Sequence, residues 1–443
     1  MSIVTDSPVH SSSSSDDFIA YLDDALDAGS PNSSSSDEEA ENGDEFESVS
    51  RVKRQKVEIT EEIEGSTSEG TMGLNLEASV EGECTHPGSF GDMCIRCGQK
   101  LDGESGTTFG YIHKGLRLHD EEISRLRNTD VKNLLCRKKL YLVLDLDHTL
   151  LNSTHLAHLS SEEVHLLTQA DSLGDVSNGS LFKLEHMHMM TKLRPSVRTF
   201  LKEANEMFEM YIYTMGDRPY ALEMAKLLDP RGEYFNAKVI SRDDGTQKHQ
   251  KGLDVLLGQE SAVLILDDTE HVWMEHKDNL ILMERYHFFG SSCRQFNLNC
   301  KSLSESKSDE DETDGALARV LNVLKQVHCT FFDKLEEDLV DRDVRKVLSS
   351  VRSEVLSGCV IVFSRILHSA LPALKKMAER MGATCLTELD PSVTHVVATD
   401  AGTEKSRWAV KEKKFLVHPR WIEAANYFWQ KQPEENFVVK KMQ

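Results

Sequence analysis

Residues 139–149 read Lys-Leu-Tyr-Leu-Val-Leu-Asp-Leu-Asp-His-Thr, so two aspartates, Asp145 and Asp147, stand where an apolar run ends. The short, continuously apolar run 140–144 predicts a buried strand of a parallel sheet. Two carboxylates at the carboxyl end of such a strand raise each other's proton affinity unless a cation neutralises them. Ligands bind at that edge of open α/β sheets, where one carboxylate could act as nucleophile and the other could transfer protons. A strand end capped by solvated acids is the alternative interpretation.

Two further apolar runs end in polar side chains. Residues 211–216 read Tyr-Ile-Tyr-Thr-Met-Gly and carry Thr214, and residues 262–268 end in the pair Asp267 and Asp268. Helical patterns separate the three runs, which predicts βαβ crossovers and a parallel sheet whose carboxyl ends meet at one edge.

Between the second and third runs, Ser241-Arg242-Asp243-Asp244 leads to Lys251, which opens a predicted helical run over 252–257. The common edge would then hold a nucleophile, an acid/base, a hydroxyl, a cation and an acid pair. Phosphoryl transfer needs this set, because positioning and charge neutralisation provide most of the catalysis.

The motifs together resemble the haloacid-dehalogenase superfamily of aspartate-dependent phosphatases. Residues 145–150, Asp-Leu-Asp-His-Thr-Leu, are similar to the signature of RNA polymerase II C-terminal domain (CTD) phosphatases. Residues 192–195, Lys-Leu-Arg-Pro, and 241–243 also match that branch. The resemblance covers residues 135–300 as the catalytic phosphatase domain, and the whole chain resembles plant members that end in a BRCT domain. It implies an α/β protein with a haloacid-dehalogenase-like Rossmannoid parallel sheet, a C-terminal BRCT α/β domain and a disordered acidic N-terminus.

The resemblance also implies a mechanism. Asp145 would attack phosphorus and form an aspartyl-phosphate, while Asp147 would protonate the departing serine oxygen and then activate a water. Mg²⁺ would be held by the Asp145 carboxylate, the Asp147 main-chain carbonyl and Asp268, with Asp267 supporting that shell. Mn²⁺ or Co²⁺ would substitute.

The resemblance also implies which further residues would bind the phosphate or position the loop that does. By resemblance, Thr149 would orient the loop, and Thr214 and Lys251 would bind the phosphoryl oxygens. Lys251 stands nine residues after Arg242, as in the family; Lys248 is the alternative. Arg242 would read a second charge on the substrate, or else is a solvated surface arginine.

The insertion before Thr214 bears on the substrate. Residues 153–190 are polar, with few strand signals, and predict a local flap rather than a full cap. An open cleft suits an extended phosphopeptide. The expected function is Mg-dependent dephosphorylation of serines in the heptad repeats of the RNA polymerase II CTD, regulating transcription. A non-catalytic phosphoprotein-binding scaffold and a small-molecule phosphatase are the alternatives.

Residues 352–443 resemble a BRCT domain, with predicted strands at 358–364 and 394–398 and helices over 372–381 and from Pro419. Gly382-Ala383 and Trp421 occupy positions typical of that family. Ser364 and Lys405 match the residues that contact phosphate in phosphopeptide-binding BRCT domains, but they could equally serve a protein-interaction domain structurally. General transcription factors are candidate partners of this domain.

Two segments join the predicted domains. Residues 301–315 are rich in serine and acids and predict a solvated loop. Residues 316–350 predict a helical connector, because apolar residues recur at helical spacing. The stripe is Leu317, Val320, Leu321, Leu324, Val327 and Phe331.

The amino-terminal region divides in two. Residues 1–80 are rich in serine and acids and should be disordered; their basic cluster 51–56 is consistent with nuclear import. Residues 81–100 then place Cys84, His86, Cys94 and Cys97 within fourteen positions. This spacing suits a small Zn²⁺ element, with free thiols in a loop as the alternative.

Composition excludes some classes. Nine cysteines without a disulfide framework favour a reducing compartment. No apolar stretch approaches membrane-spanning length, so we expect no membrane partner. The net charge of −23 disfavours nucleic-acid binding through phosphates. We therefore expect a nuclear enzyme that binds no specific nucleic-acid sequence.

Overall fold

The structure is a computed structural model that describes residues 84–101, 105–171, 176–333 and 342–441. The predicted disordered tail 1–80 and its basic cluster 51–56 lie outside these residues. None of the helices described is both long and apolar enough to cross a membrane.

The described chain begins with a small antiparallel sheet in the order β2-β1-β4-β3. Its strands are β1 Gly88–Phe90, β2 Met93–Cys94, β3 Thr107–Thr108 and β4 Leu116–Leu118. Helix α1, Asp120–Cys136, follows and leads into the central sheet. Three acidic residues in its first turn complement the helix dipole.

Five parallel strands form the central sheet in the order β10-β9-β5-β11-β12. They are β5 Leu140–Leu144, β9 Phe208–Tyr213, β10 Val239–Ile240, β11 Val263–Asp267 and β12 Leu280–Leu282. Strand β5 pairs on both edges and is buried on both faces, which explains its continuous apolar sequence. The three predicted strands are therefore adjacent in the order β9-β5-β11. Asp145 and Asp147 follow β5, the middle strand of the three.

The insertion after β5 contains more regular structure than its sequence predicted. It forms an antiparallel sheet in the order β6-β8-β7, made of β6 Leu151–His155, β7 Leu181–Leu184 and β8 Met189–Leu193. A short helix, α2 Leu166–Gln169, lies between β6 and β7. The expectation of few strands was wrong because these strands are short and half-polar, so only their mutual pairing reveals them.

Two helices precede central strands: α3 Val197–Met207 leads into β9, and α4 Arg218–Leu228 lies between β9 and β10. A third, α5 Gly290–Gln295, follows β12. Asp217 caps α4 by accepting a hydrogen bond from the Tyr220 backbone N–H at 2.9 Å, and Pro219 lies in the first turn. This cap fixes the position of the Tyr220 backbone, from which the side chain extends.

The helical run predicted over 252–257 was wrong. Only Leu253–Val255 form a single 3₁₀ turn. The Leu253 carbonyl accepts a hydrogen bond from the Leu256 N–H within that turn, and the Arg127 guanidinium donates to the carbonyls of both Leu253 and Leu256. A side chain from α1 thus satisfies the polar groups that a helix would have paired internally.

The loop 301–315 is not simply solvated. Ser302 and Ser304 are buried, and Glu310 forms a bidentate ion pair with the fully buried Arg194. Helix α6, Ala316–Asp333, then buries all six residues of the predicted apolar stripe. It packs against α3 and against α7, Val344–Glu354.

The C-terminal region forms a parallel sheet in the order β14-β13-β15-β16. Its strands are β13 Val360–Ser364, β14 Thr384–Leu386, β15 His395–Ala398 and β16 Phe415–Val417, and its helices are α8 Leu371–Arg380, α9 Glu404–Lys411 and α10 Arg420–Phe428. Trp421 is fully buried and stacks on His395 with ring centroids 4.6 Å apart. Strands β14 and β16 were not predicted, because three-residue strands carry too little periodicity.

Candidate active site

The site lies at the carboxyl edge of the central sheet. Asp145 directly follows β5, and its backbone N–H donates to Leu266 O at 3.0 Å, which continues the pairing with β11. Strand β11 ends at Asp267, and Asp268 directly follows it. Because neighbouring parallel strands end together, carboxylate oxygens of Asp145, Asp267 and Asp268 lie within 4.8 Å of one another.

Lys251 links two of these carboxylates. Its Nζ donates to Asp145 Oδ1 and to Asp267 Oδ2, each at 2.6 Å. The ammonium also lies 5.6 Å from the Trp273 ring centroid. Burial alone would lower the pKa of Lys251, but the two carboxylates outweigh it and raise the pKa above its usual value. The cation is therefore held in its charged form.

Burial has the opposite effect on the acids. It raises the pKa of Asp145 well above the usual range, and the neighbouring Asp267 adds to the rise while Lys251 opposes it. Burial likewise raises the pKa of Asp267, although that carboxylate also accepts hydrogen bonds from Trp273 Nε1 and the Thr269 N–H, both at 2.8 Å. Asp145 and Asp267 therefore favour either protonation or a nearby cation.

Asp268 differs because it has its own arginine. Arg285 Nε donates to Asp268 Oδ2 at 2.5 Å, and Thr269 Oγ1 donates to the same oxygen at 2.9 Å. Burial raises the pKa of Asp268, but Arg285 more than compensates and the pKa is lowered. This carboxylate is ionised at neutral pH.

Asp147 faces a different partner. The Tyr220 hydroxyl donates to Asp147 Oδ1 at 2.6 Å, and the same hydroxyl lies 2.9 Å from Ser153 Oγ. Burial raises the pKa of Asp147, and the hydrogen bond from Tyr220 opposes the rise. Asp147 therefore has a raised proton affinity and a fixed orientation.

The loop between the aspartates and β6 is clamped from outside. Arg194 donates to Thr149 O at 3.0 Å and to Glu284 O at 3.0 Å, while Glu310 binds its other edge. His148 adopts a positive φ of 63°, which a non-glycine residue holds only where surrounding contacts impose it. The clamp thus fixes the segment that carries Asp147.

The remaining predicted phosphate ligands are distributed unevenly. Thr149 Oγ1 is buried and has no hydrogen-bond partner among the described residues, and Thr214 Oγ1 accepts from the Gly216 N–H at 3.0 Å. Arg242 begins a 3₁₀ turn with its side chain about a quarter exposed, and its N–H donates to Gly216 O. Lys248 is exposed on the surface. Of the two candidate lysines, the structure brings Lys251 to the acids.

Sequence reasoning missed three side chains of this site. Tyr220, Arg285 and Trp273 were not predicted, and Arg194 was noted only as part of a motif. Each reaches the site through tertiary packing. The one available signal was for Arg194, which directly follows strand β8 within the Lys-Leu-Arg-Pro motif.

Two other groups of predicted ligands are outside this edge. Ligand atoms of His86, Cys94 and Cys97 lie within 4.8 Å of one another, and Cys84 stands two positions before His86 in the sequence. In the C-terminal domain, Ser364 Oγ lies 2.8 Å from Thr403 Oγ1, whereas Lys405 Nζ donates to Thr387 O at 2.6 Å.

Comparison with known proteins identifies the class of protein to which this site belongs. The NLI interacting factor-like phosphatase family matches residues 140–334, and the BRCT domain family matches residues 351–425. The phosphatase match contains the acids and Lys251. The acidic cluster at the strand edge is the feature typical of divalent-metal-dependent phosphatases.

Relatives narrow the class. The chain is 61% identical to RNA polymerase II C-terminal domain phosphatase-like 4 of Arabidopsis thaliana, over all of this chain and 98% of the relative. It is 42% identical to RNA polymerase II C-terminal domain phosphatase-like 3 of the same plant, over 71% of this chain and 26% of that longer protein. The chain belongs to the RNA polymerase II CTD phosphatase family.

A solved structure supports the same fold. The structure of Fcp1, described as an essential RNA polymerase II CTD phosphatase, aligns with a TM-score of 0.55 at 24% identity. The alignment covers 71% of this chain and all of that one. The predicted fold class, family and assignment as a protein phosphatase are therefore confirmed, and the family and acidic cluster together indicate dependence on a divalent metal.

Proposed function

We propose that this protein removes phosphate from serines of the RNA polymerase II CTD repeats through an aspartyl-phosphate on Asp145. The observation that carries the proposal is the meeting of three carboxylates and one buried ammonium at the ends of β5 and β11. A binding module needs no nucleophile beside a paired cation, so this arrangement favours an enzyme over a scaffold.

Charge balance supports a divalent ion. When all four acids are ionised, four carboxylates face two cationic side chains, an excess of two negative charges in a buried setting, where unpaired charge is costly. With Asp147 protonated, the excess is one. Carboxylate oxygens are the ligands that Mg²⁺ prefers. The groups are Asp145, Asp147, Asp267, Asp268, Lys251 and Arg285.

We propose Mg²⁺ at these acids, with Mn²⁺ or Co²⁺ able to substitute, and Zn²⁺ only at the separate cysteine–histidine group. Asp145 and Asp268 would hold the ion through their carboxylates and Asp147 through its main-chain carbonyl, with Asp267 supporting them. A bound Mg²⁺ supplies positive charge that keeps the carboxylates ionised and neutralises the phosphoryl oxygens.

The chemical steps are assigned to two aspartates. The Asp145 carboxylate attacks phosphorus as the phosphorus–oxygen bond to serine breaks, and Asp147 donates its proton to the departing oxygen. Asp147 then accepts a proton from the water that attacks the aspartyl-phosphate, which releases phosphate and restores Asp145. The raised pKa of Asp147, caused by burial, supports this role because a donor must hold its proton near neutral pH.

Other residues bind the phosphoryl group. Lys251 would turn from a partner of Asp145 into a ligand of the transferred phosphoryl oxygens, together with Thr214. Thr149 would hold the loop in place. The Arg242 backbone N–H donates to the carbonyl of Gly216, two residues after Thr214, and the partly exposed Arg242 side chain would read a second phosphate on the peptide.

The substrate class follows from the cover over the site. The β6-β8-β7 insertion is a three-stranded sheet of short strands, smaller than a full cap domain. An insertion of this size favours an extended phosphorylated CTD repeat over a metabolite buried under a cap. Because that substrate belongs to the transcription machinery, we propose that the protein acts in the nucleus.

For the BRCT domain we propose phosphopeptide docking at Ser364 and Lys405, with general transcription factors as candidate partners. Lys405 Nζ contacts a backbone carbonyl that a phosphate would replace at little cost. The test is binding of a phosphopeptide panel to Lys405→Met, with Lys414→Met as control because Lys414 Nζ also bonds a carbonyl, that of Pro391. Equal binding by both variants would assign the domain to unphosphorylated partners.

The catalytic test compares substrates and one substitution. The full chain should dephosphorylate a phosphoserine heptad peptide in the presence of Mg²⁺, and should do so faster than any member of a phosphometabolite panel. Asp145→Asn should lower turnover at least about 1,000-fold, roughly 4 kcal/mol of barrier. Asp120→Asn, an exposed acid on α1, is the control. Near-normal turnover by a folded Asp145→Asn variant would rule out the mechanism; preference for a metabolite would rule out the substrate.

A further inference from the structure

Four soft ligands outside the catalytic edge have no part in phosphoryl transfer. Cys97 Sγ lies 3.5 Å from His86 Nδ1, and the ligand atoms of His86, Cys94 and Cys97 lie within 4.8 Å of one another. Cys84 precedes His86 by two positions, a spacing that lets both side chains bind one ion. We infer that these four residues bind one structural Zn²⁺.

The backbone between the ligands is shaped for a metal. The Arg96 N–H points at Cys94 Sγ at 3.4 Å, and the Gly98 N–H donates to Cys94 O at 3.0 Å. Gly98 has φ 71°, which lets the chain turn sharply after Cys97. The turn converges both sulfurs on one point, and N–H groups aimed at a sulfur stabilise the thiolate that binds metal.

This segment has almost no core of its own. Within the described residues 84–101, Cys94 is the one apolar side chain that is buried. Phe90 and Met93 are 46% and 45% exposed. Strands of two and three residues with such exposure bury little apolar surface to offset chain entropy, so a cross-link would add stability to the pairing of β1 with β4. A metal ion provides that contribution because its binding free energy becomes folding free energy.

The donor set selects zinc. Three thiolates and one imidazole form a tetrahedral, soft site, whereas Mg²⁺ and Ca²⁺ prefer oxygen. All four cysteine–histidine positions would be filled by protein, which is typical of structural rather than catalytic zinc. The alternative is a redox-active Cys94–Cys97 pair, which would not require His86 in contact with Cys97.

The zinc element also supports the catalytic unit. Cys94 pairs with Ser89 on β1, and β1 pairs along its length with β4. The loop between β3 and β4 carries Tyr111, whose hydroxyl donates to Val255 O at 3.0 Å. Val255 follows Lys251 by a few residues, so this contact reaches the catalytic unit. Loss of the metal should first loosen the cysteine-containing end of the connection, which lies farthest along it from Lys251.

Metal analysis of the purified full chain tests the inference. We expect one zinc per chain in the wild type and at least about tenfold weaker retention in Cys97→Ser. Cys136→Ser is the matched control because Cys136 is also exposed and lies at the end of α1. Asp268→Asn controls for zinc held by the catalytic acids. Equal zinc in Cys97→Ser and wild type, or a wild type purified without zinc that shows no thiolate–cobalt absorption with Co²⁺, would overturn the site.

Alkylation provides a measurement that does not depend on a variant folding. Cys97 and Cys136 are both exposed, so solvent access alone predicts equal reaction with iodoacetamide. The inference predicts that Cys97 is protected while Cys136 reacts, and that a zinc chelator removes the protection. Equal alkylation of both cysteines before chelation would contradict it.

Discussion

Replacing Tyr220 by phenylalanine removes one hydrogen bond from the acid/base without touching the nucleophile. In the native site the hydroxyl donates to Asp147 Oδ1 at 2.6 Å and contacts Ser153 Oγ at 2.9 Å. The ring stays buried in the variant. Ser153 keeps a second partner, Thr191 Oγ1 at 2.9 Å, so the change leaves one carboxylate oxygen short of a donor.

The expected magnitude follows from that bond. A hydrogen bond to a charged group contributes about 1.5–3 kcal/mol, so turnover should fall by about 10- to 160-fold. The bond also opposes the burial that raises the pKa of Asp147. Without it the carboxyl retains its proton more strongly, and its action as a base on the attacking water suffers most. Hydrolysis of the aspartyl-phosphate should therefore slow more than its formation.

The assay is rapid-quench kinetics on a phosphoserine heptad peptide. Tyr220→Phe should show a larger burst of peptide product and more trapped phosphoenzyme than the wild type, with a lower steady-state rate. Tyr234→Phe, a partly buried tyrosine on the loop before β10, serves as control. Unchanged turnover, or a slower burst with no accumulation of phosphoenzyme, would refute the role given to Tyr220.

Three further outcomes are expected. Lys251→Gln should lower the free energy of unfolding by about 3–5 kcal/mol in chemical denaturation without metal, because Asp145 and Asp267 lose their buried countercharge. The control, Lys248→Gln, should have the same free energy of unfolding as the wild type. Burial lowers the pKa of His287 to about 3, so the folded state resists protonation of this side chain. The free energy of unfolding should therefore fall as the pH drops from about 6.5 toward 3, by at most about 1.4 kcal/mol per pH unit. His287→Gln should flatten that slope. Trp421→Ala should destabilise the BRCT domain by about 3–5 kcal/mol in a thermal melt, with the partly exposed Trp408 as the position for a control substitution.

The sequence was most informative where local pattern and buried position coincide. The apolar run before Asp145 and the one ending at Asp268 predicted buried strands of one parallel sheet, because a strand buried on both faces must be apolar throughout. Shared strand ends then placed their carboxylates together. The preference for Lys251 over Lys248 came from the family's spacing and agrees with the position of Lys251 between Asp145 and Asp267.

Contacts set by tertiary packing could not be predicted in this way. Tyr220 reaches Asp147 because α4 begins with a capped turn, and Arg285 reaches Asp268 from the segment after β12. The acidic residues near 310 looked solvated, yet Glu310 pairs with Arg194 across more than a hundred positions. No pattern within either segment encodes the partner in the other.

The most direct measurement is localisation of the covalent intermediate. Enzyme quenched during turnover of the phosphopeptide is reduced with borohydride, which converts an aspartyl-phosphate to homoserine, and its peptides are sequenced by mass spectrometry. We predict homoserine at position 145 in the wild type and none in Asp145→Asn. Homoserine at position 147 instead, or full turnover with no modified residue, would contradict a covalent role for Asp145.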